Sequence, residues 1–145
     1  METKNPFVGT WKLISWENTD RDGTVTYPYG SNPVGYILYT EDGYMAVQLM
    51  NPDRRQSDPD FHLEPAFAQT ISGEDRAMAY DTYFSYCGPY SYSLEEQKVT
   101  HHVELGLVPS WSGKDQPRHF EFKDGKLLLG SRRSRLIWER AARRA

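Results

Sequence analysis

The sequence predicts an all-β fold: an eight-stranded up-and-down antiparallel β-barrel with one short helix. Three observations point there. About eight runs of β-prone residues alternate apolar and polar side chains with a period of two. Tight-turn dipeptides such as Asp22-Gly23, Asp42-Gly43 and Asp124-Gly125 separate neighbouring runs. A helical pattern appears only once. Eight antiparallel strands can close into a barrel whose interior is filled or holds one small ligand. An open β-roll or sandwich is the competing arrangement.

The first strand is expected over Phe7 to Glu17, with Trp11, Leu13 and Ser15 on one side and Thr10, Lys12, Ile14 and Trp16 on the other. Each side carries a ring, so the pattern does not choose the inner face. Asn18 to Gly23 is a turn, Thr24 to Tyr27 a short returning strand, and Pro28 and Pro33 interrupt regular structure. The clearest hairpin joins Gly35–Thr40 to Tyr44–Met50, with Ile37, Tyr39, Met45, Val47 and Leu49 on one face. Asn51 to Pro65 has three prolines, several charges and no period, which predicts a long loop, either a lid over a pocket mouth or a disordered insertion. Ser72, with Glu74 and Asp75 behind it, caps a short helix running towards Tyr83, a plug or flank for the barrel. Tyr83 to Leu94 returns to alternation, with a bulge expected at Gly88-Pro89. Strands follow over Val99–Leu105, Arg118–Phe122, Leu127–Leu129 and Arg135–Arg140; the last places Leu136, Trp138 and Arg140 together.

Composition fits residues 1–145 forming a single domain, since 145 residues supply one sizeable core. Aromatic residues make up 14% of the chain, with ten Tyr and four Trp. Rings can therefore build the core, and amphipathic rings also line small-molecule pockets. Net charge is −3. The basic run Arg140, Arg143, Arg144 is expected to be a solvated end and not a nucleic-acid patch, because no basic helix or aromatic-basic ladder accompanies it. Cys87 is the sole cysteine, so an intrachain disulfide is excluded, and no nucleophile motif surrounds it. No charged-then-apolar leader opens the chain, and no apolar run approaches the ~20 residues of a membrane span. A cytoplasmic location without a membrane partner is the expectation.

Two basic side chains fall on apolar strand faces. His101 alternates with Val99, Val103 and Leu105, and Arg118 with Phe120 and Phe122. Such groups need partners or a cavity. Histidine exchanges protons near neutral pH, arginine holds a carboxylate, enolate or phenolate, and the hydroxyls of Tyr39, Tyr86 and Tyr92 can orient an oxygenated ligand. The expected ligand-binding set is therefore Tyr39, Tyr86, Tyr92, His101, Trp111, Arg118 and Phe120, with His101 and Arg118 as the candidate catalytic pair. Trp111, between Pro109 and Gly113, either gates the mouth or packs over a barrel end. His62, His101, His102 and His119 show no metal-ligand spacing, and His102 with Glu104 lacks a third ligand, so no metal is expected. No phosphate-cradling loop or nucleophile elbow occurs, and no cofactor is expected.

The Gly9-Thr10-Trp11 start resembles the GxW signature of lipocalins, and the chain as a whole is similar to small bacterial and fungal lipocalin-like domain proteins. The matching stretches are Gly9–Glu17, Tyr27–Val47, Tyr86–Tyr90, His101–Glu104, Pro109–Gly113, Gln116–Arg118 and Leu136–Arg140. The resemblance implies a calycin-type barrel in which Trp11 closes one end under a stacked arginine, Arg140 in preference to Arg132. It implies no single activity, since some lipocalin-like barrels serve as enzymes of natural-product pathways. Secreted lipocalins usually have a signal peptide and disulfides, and this chain departs from both. Three functions follow: binding of a small hydrophobic or amphipathic, oxygenated ligand; an isomerase or cyclase moving a proton on a polyketide or terpenoid intermediate; or a filled structural or interaction domain.

Overall fold

The structure is a computed structural model and describes residues 4–55 and 71–145. Ten strands and one helix follow in the order β1 (Gly9–Thr19), β2 (Val25–Thr26), β3 (Val34–Tyr39), β4 (Tyr44–Met50), α1 (Gly73–Asp81), β5 (Tyr83–Ser93), β6 (Lys98–His102), β7 (Leu105–Gly106), β8 (Asp115–Lys123), β9 (Lys126–Gly130) and β10 (Ser134–Arg140). Eight of them form the barrel in the order β10-β9-β8-β6-β5-β4-β3-β1, which closes where β10 pairs with β1. The remaining two are short extras: β2 pairs with β1, and β7 with β5. Closure leaves no bare sheet edge among the eight.

The β3–β4 hairpin follows the sequence pattern closely. Ile37 pairs with Val47 and Tyr39 with Met45, and all the side chains of that face are buried. Strand β1 holds a feature that alternation does not announce. Leu13 faces Trp138 and Ser15 faces Ile137 across β10, so Ile14 is an extra residue in a bulge. The shift turns Trp16 inward although it has the opposite parity from Trp11. Both tryptophans therefore serve the interior, at different heights.

Two expectations need correction, and one open alternative is decided. Strand β5 pairs with β4 in unbroken register through Gly88 and Pro89, so no bulge lies there. Gly88 instead permits a close crossing, because a Cβ at that position would clash with the carbonyl oxygen of His102. Leu105 does not continue the face of His101: β6 ends at His102, the chain turns, and Leu105 is 61% exposed in β7. Helix α1 flanks the barrel and does not plug it, for none of its residues is buried. Its cap is as the sequence suggests, with Ser72 Oγ accepting from the Asp75 N–H at 3.1 Å.

One barrel end is closed by Phe7, which precedes β1 and is fully buried. Its ring meets those of Tyr39, Tyr90, Tyr92, Phe120 and Phe122 at centroid distances of 4.8–6.4 Å. Asn5 holds the segment, accepting from the Phe7 N–H and donating to the Tyr90 hydroxyl. Trp11 Nε1 donates to the Phe7 carbonyl at 2.9 Å. The Arg140 guanidinium lies 3.9 Å from the Trp11 ring centroid and donates to the carbonyls of Val8 and Pro6. Gly9, at φ +130°, is needed beneath it, since a Cβ there would stand 2.5 Å from Arg140 Nη1. Among the described residues no helix is long and apolar enough to cross a membrane.

Candidate functional site

The other end of the barrel is hollow. A cavity of about 310 Å³ opens there, its walls supplied by every barrel strand. Apolar side chains of β3, β4, β9 and β10 make most of the wall, with Trp16, Phe84, Trp111 and Trp138 adding rings. The volume is in the range of small-molecule sites, which combine an apolar wall with a few placed polar groups. Here those groups are Tyr86, His101, Gln116, Arg118 and Ser134.

His101 is 1% exposed and bonded at both ring nitrogens. Nδ1 lies 2.7 Å from the Tyr86 hydroxyl and Nε2 lies 2.7 Å from the Tyr39 hydroxyl. Burial, and then the positive charge of Arg118, push its pKa down to about 3, so the ring is neutral at physiological pH. Burial likewise raises the Tyr86 phenol to about 12, and pushes Tyr39 well above the usual tyrosine range. Arg118 is half-buried; it donates to the Pro117 carbonyl at 2.8 Å and to Gln116 Oε1 at 3.1 Å. Ser134 Oγ is turned to Asn18 Oδ1 at 2.6 Å.

Of the residues expected to bind ligand, Tyr86, His101, Trp111 and Arg118 meet in this cavity. Trp111 sits in a 3-10 turn, Pro109–Trp111, with its ring edge-on to Phe84 and Tyr86. Tyr39 stands behind the wall, reaching the cavity only through His101. Tyr92 and Phe120 share the inward parity of the cavity residues but lie lower, packed on Phe7 at 5.1 and 4.8 Å. Sequence reasoning missed Trp16, Phe84, Gln116 and Trp138 as wall residues. Gln116 could have been found by parity, two positions before Arg118. The expected lid, residues 51–65, lies outside the described residues from position 56 onward; Asn51 leaves β4 at the open end.

His102 does not approach Glu104 as a ligand partner. Its Nδ1 is 2.8 Å from Asp115 Oδ1 and its Nε2 is 2.9 Å from Ser91 Oγ, on the outer face of the barrel and in solvent. None of Ser91, His102 and Asp115 lines the cavity. Among the described residues no three His, Cys, Asp or Glu side chains gather in a metal-binding group. Among the described residues one buried side-chain donor lacks a partner, the Nε1 of Trp138. An unpaired buried donor costs about 1–3 kcal/mol.

A closed antiparallel barrel, sealed by a tryptophan under an arginine at one end and hollow at the other, defines a calycin-type protein. The chain belongs to the lipocalin-like domain family, whose pattern it matches over residues 8–144. Among solved structures it is similar to a lipocalin-like protein from Bacteroides uniformis, at 11% identity, TM-score 0.52, covering 94% of this chain and 100% of that one. An uncharacterized protein from Bacteroides eggerthii aligns at 12% identity and TM-score 0.49, over 93% of this chain and 99% of that one. The fluorescent protein UnaG aligns at 18% identity and TM-score 0.38, over 93% and 97%. Scores below 0.5 do not establish a shared fold. No functionally curated protein matches the chain.

Proposed function

We infer that the protein binds a small amphipathic, oxygenated molecule in its open-end cavity. The observation that carries this is the cavity itself, about 310 Å³ of largely apolar and aromatic wall with a polar cluster at Tyr86, His101, Gln116 and Arg118. Burial of an apolar ligand body supplies about 25 cal/mol per Å² of surface, and the polar cluster fixes its orientation. Proton transfer by an isomerase or cyclase is the weaker alternative. A base near neutral pH needs a free lone pair and a pKa close to 7, whereas both nitrogens of His101 are engaged and its pKa lies at about 3. A wholly filled structural barrel fits only the Phe7 end. Native mass spectrometry of the purified protein, with analysis of its denatured extract, tests the proposal. The expected result is a bound compound of a few hundred daltons, or saturable uptake of amphipathic acids and alcohols when these are added. The absence of both a bound mass and any saturable uptake would overturn it.

A further inference from the structure

We propose that the Tyr86 hydroxyl and the Arg118 guanidinium form a paired donor head that takes the carboxylate of an amphipathic acid, while Tyr39 and His101 fix the direction of the Tyr86 proton. Ligand binding in the cavity, as proposed above, is presupposed. A neutral imidazole has one donor and one acceptor nitrogen. One of the two tyrosines therefore donates to His101, and the other accepts from it and keeps its own proton free. Tyr39 is 2% exposed, packed against Phe7 and Tyr90, and has no second acceptor among the described residues. Its proton must go to His101 Nε2, because a buried donor is rarely left unpaired. Nδ1 then carries the ring proton and gives it to the Tyr86 oxygen. Tyr86, unlike Tyr39, stands in the cavity wall, so its own O–H is left to a ligand.

Apart from Ser134, whose proton goes to Asn18 Oδ1, the other polar groups of that wall also present donors. Gln116 offers its Oε1 to Arg118, which turns its NH₂ donors elsewhere. Arg118 uses two of its five donors on Pro117 and Gln116. Among the described residues no Asp or Glu lines the cavity, and none pairs with Arg118. A wall whose described residues present donors and a positive charge, with no acidic side chain among them, selects a group that only accepts and is negative. A carboxylate on an apolar body meets both demands.

Decanoate, decan-1-ol and decylammonium share a chain and differ in head group, and quenching of the cavity tryptophans reads their binding. Decanoate is expected to bind at least about tenfold more tightly than the alcohol, with the ammonium weakest. Arg118→Leu and Tyr86→Phe should each weaken decanoate by about tenfold and the alcohol by less than about threefold. Tyr39→Phe removes no cavity group, yet should also weaken decanoate more than the alcohol. Nitrogen-15 NMR of His101 should show the proton on Nδ1. Equal affinity for the three heads, or a proton on Nε2, overturns the donor head and leaves the binding cavity intact. Failure of all three probes to bind, with no co-purifying compound, overturns both.

Discussion

Phe7 is fully buried against five rings at the closed end of the barrel; at the open end Trp16, Phe84, Trp111 and Trp138 surround about 310 Å³ of cavity. Both ends are aromatic. The difference lies in what enters. At the closed end the chain before β1 delivers a side chain down the axis and Arg140 locks it from outside, whereas no described segment does so at the open end. Close packing makes the first end a source of stability, and the room left at the second makes it available to a ligand. His101 sits between them, joined to Tyr39 on the filled side and Tyr86 on the hollow side.

The comparison can be broken most severely at its plug. Phe7→Ala should lose about 3–5 kcal/mol of stability in urea unfolding, the range for truncating a fully buried Phe. A loss below about 1 kcal/mol would mean that the closed end does not carry the core. Next comes the junction. Below about pH 6.5, the ordinary histidine value, the unfolded chain protonates His101, while the folded protein resists until about pH 3. Its contribution is thus complete above about pH 6.5 and falls as the pH drops through that window, at about 1.4 kcal/mol per unit. Between pH 7 and pH 5 the wild type should lose about 2 kcal/mol more than His101→Gln; parallel pH curves would contradict the buried neutral ring.

Arg140→Ala removes the stacking on Trp11 and two hydrogen bonds to carbonyls at a mostly exposed site, and should cost about 1–2 kcal/mol. The smallest effect on stability belongs to the open end. Trp111→Ala, at a half-buried ring, should cost about 1 kcal/mol by thermal unfolding and speed ligand release in stopped-flow fluorescence. A larger penalty there than at Phe7 would reverse the assignment of the two ends.

Much of the barrel was legible because a period of two names the inner face of a strand. Ile37, Tyr39, Val47, His101 and Arg118 all point inward as alternation predicts. Parity gives the face but not the height along the axis, which depends on register and stagger between strands. Tyr92 and Phe120 were therefore grouped with Tyr86 and Arg118 although they lie at the filled end. Trp16 was lost to the bulge at Ile14, where each face carried a ring and no turn residue marked the irregularity. Phe7 was hidden for another reason: it precedes β1, and its burial comes from contacts with three distant strands, β3, β5 and β8. Leu105 shows the converse error, alternation carried past the end of β6.

The most direct test of the two-ended account is a backbone and side-chain NMR titration with decanoate. Saturable shifts should cluster at Phe84, Tyr86, Trp111 and Arg118, fade at His101, and spare Phe7, Trp11 and Arg140. Shifts centred on the Phe7 end, or no saturable shifts with any amphipathic probe, would contradict it.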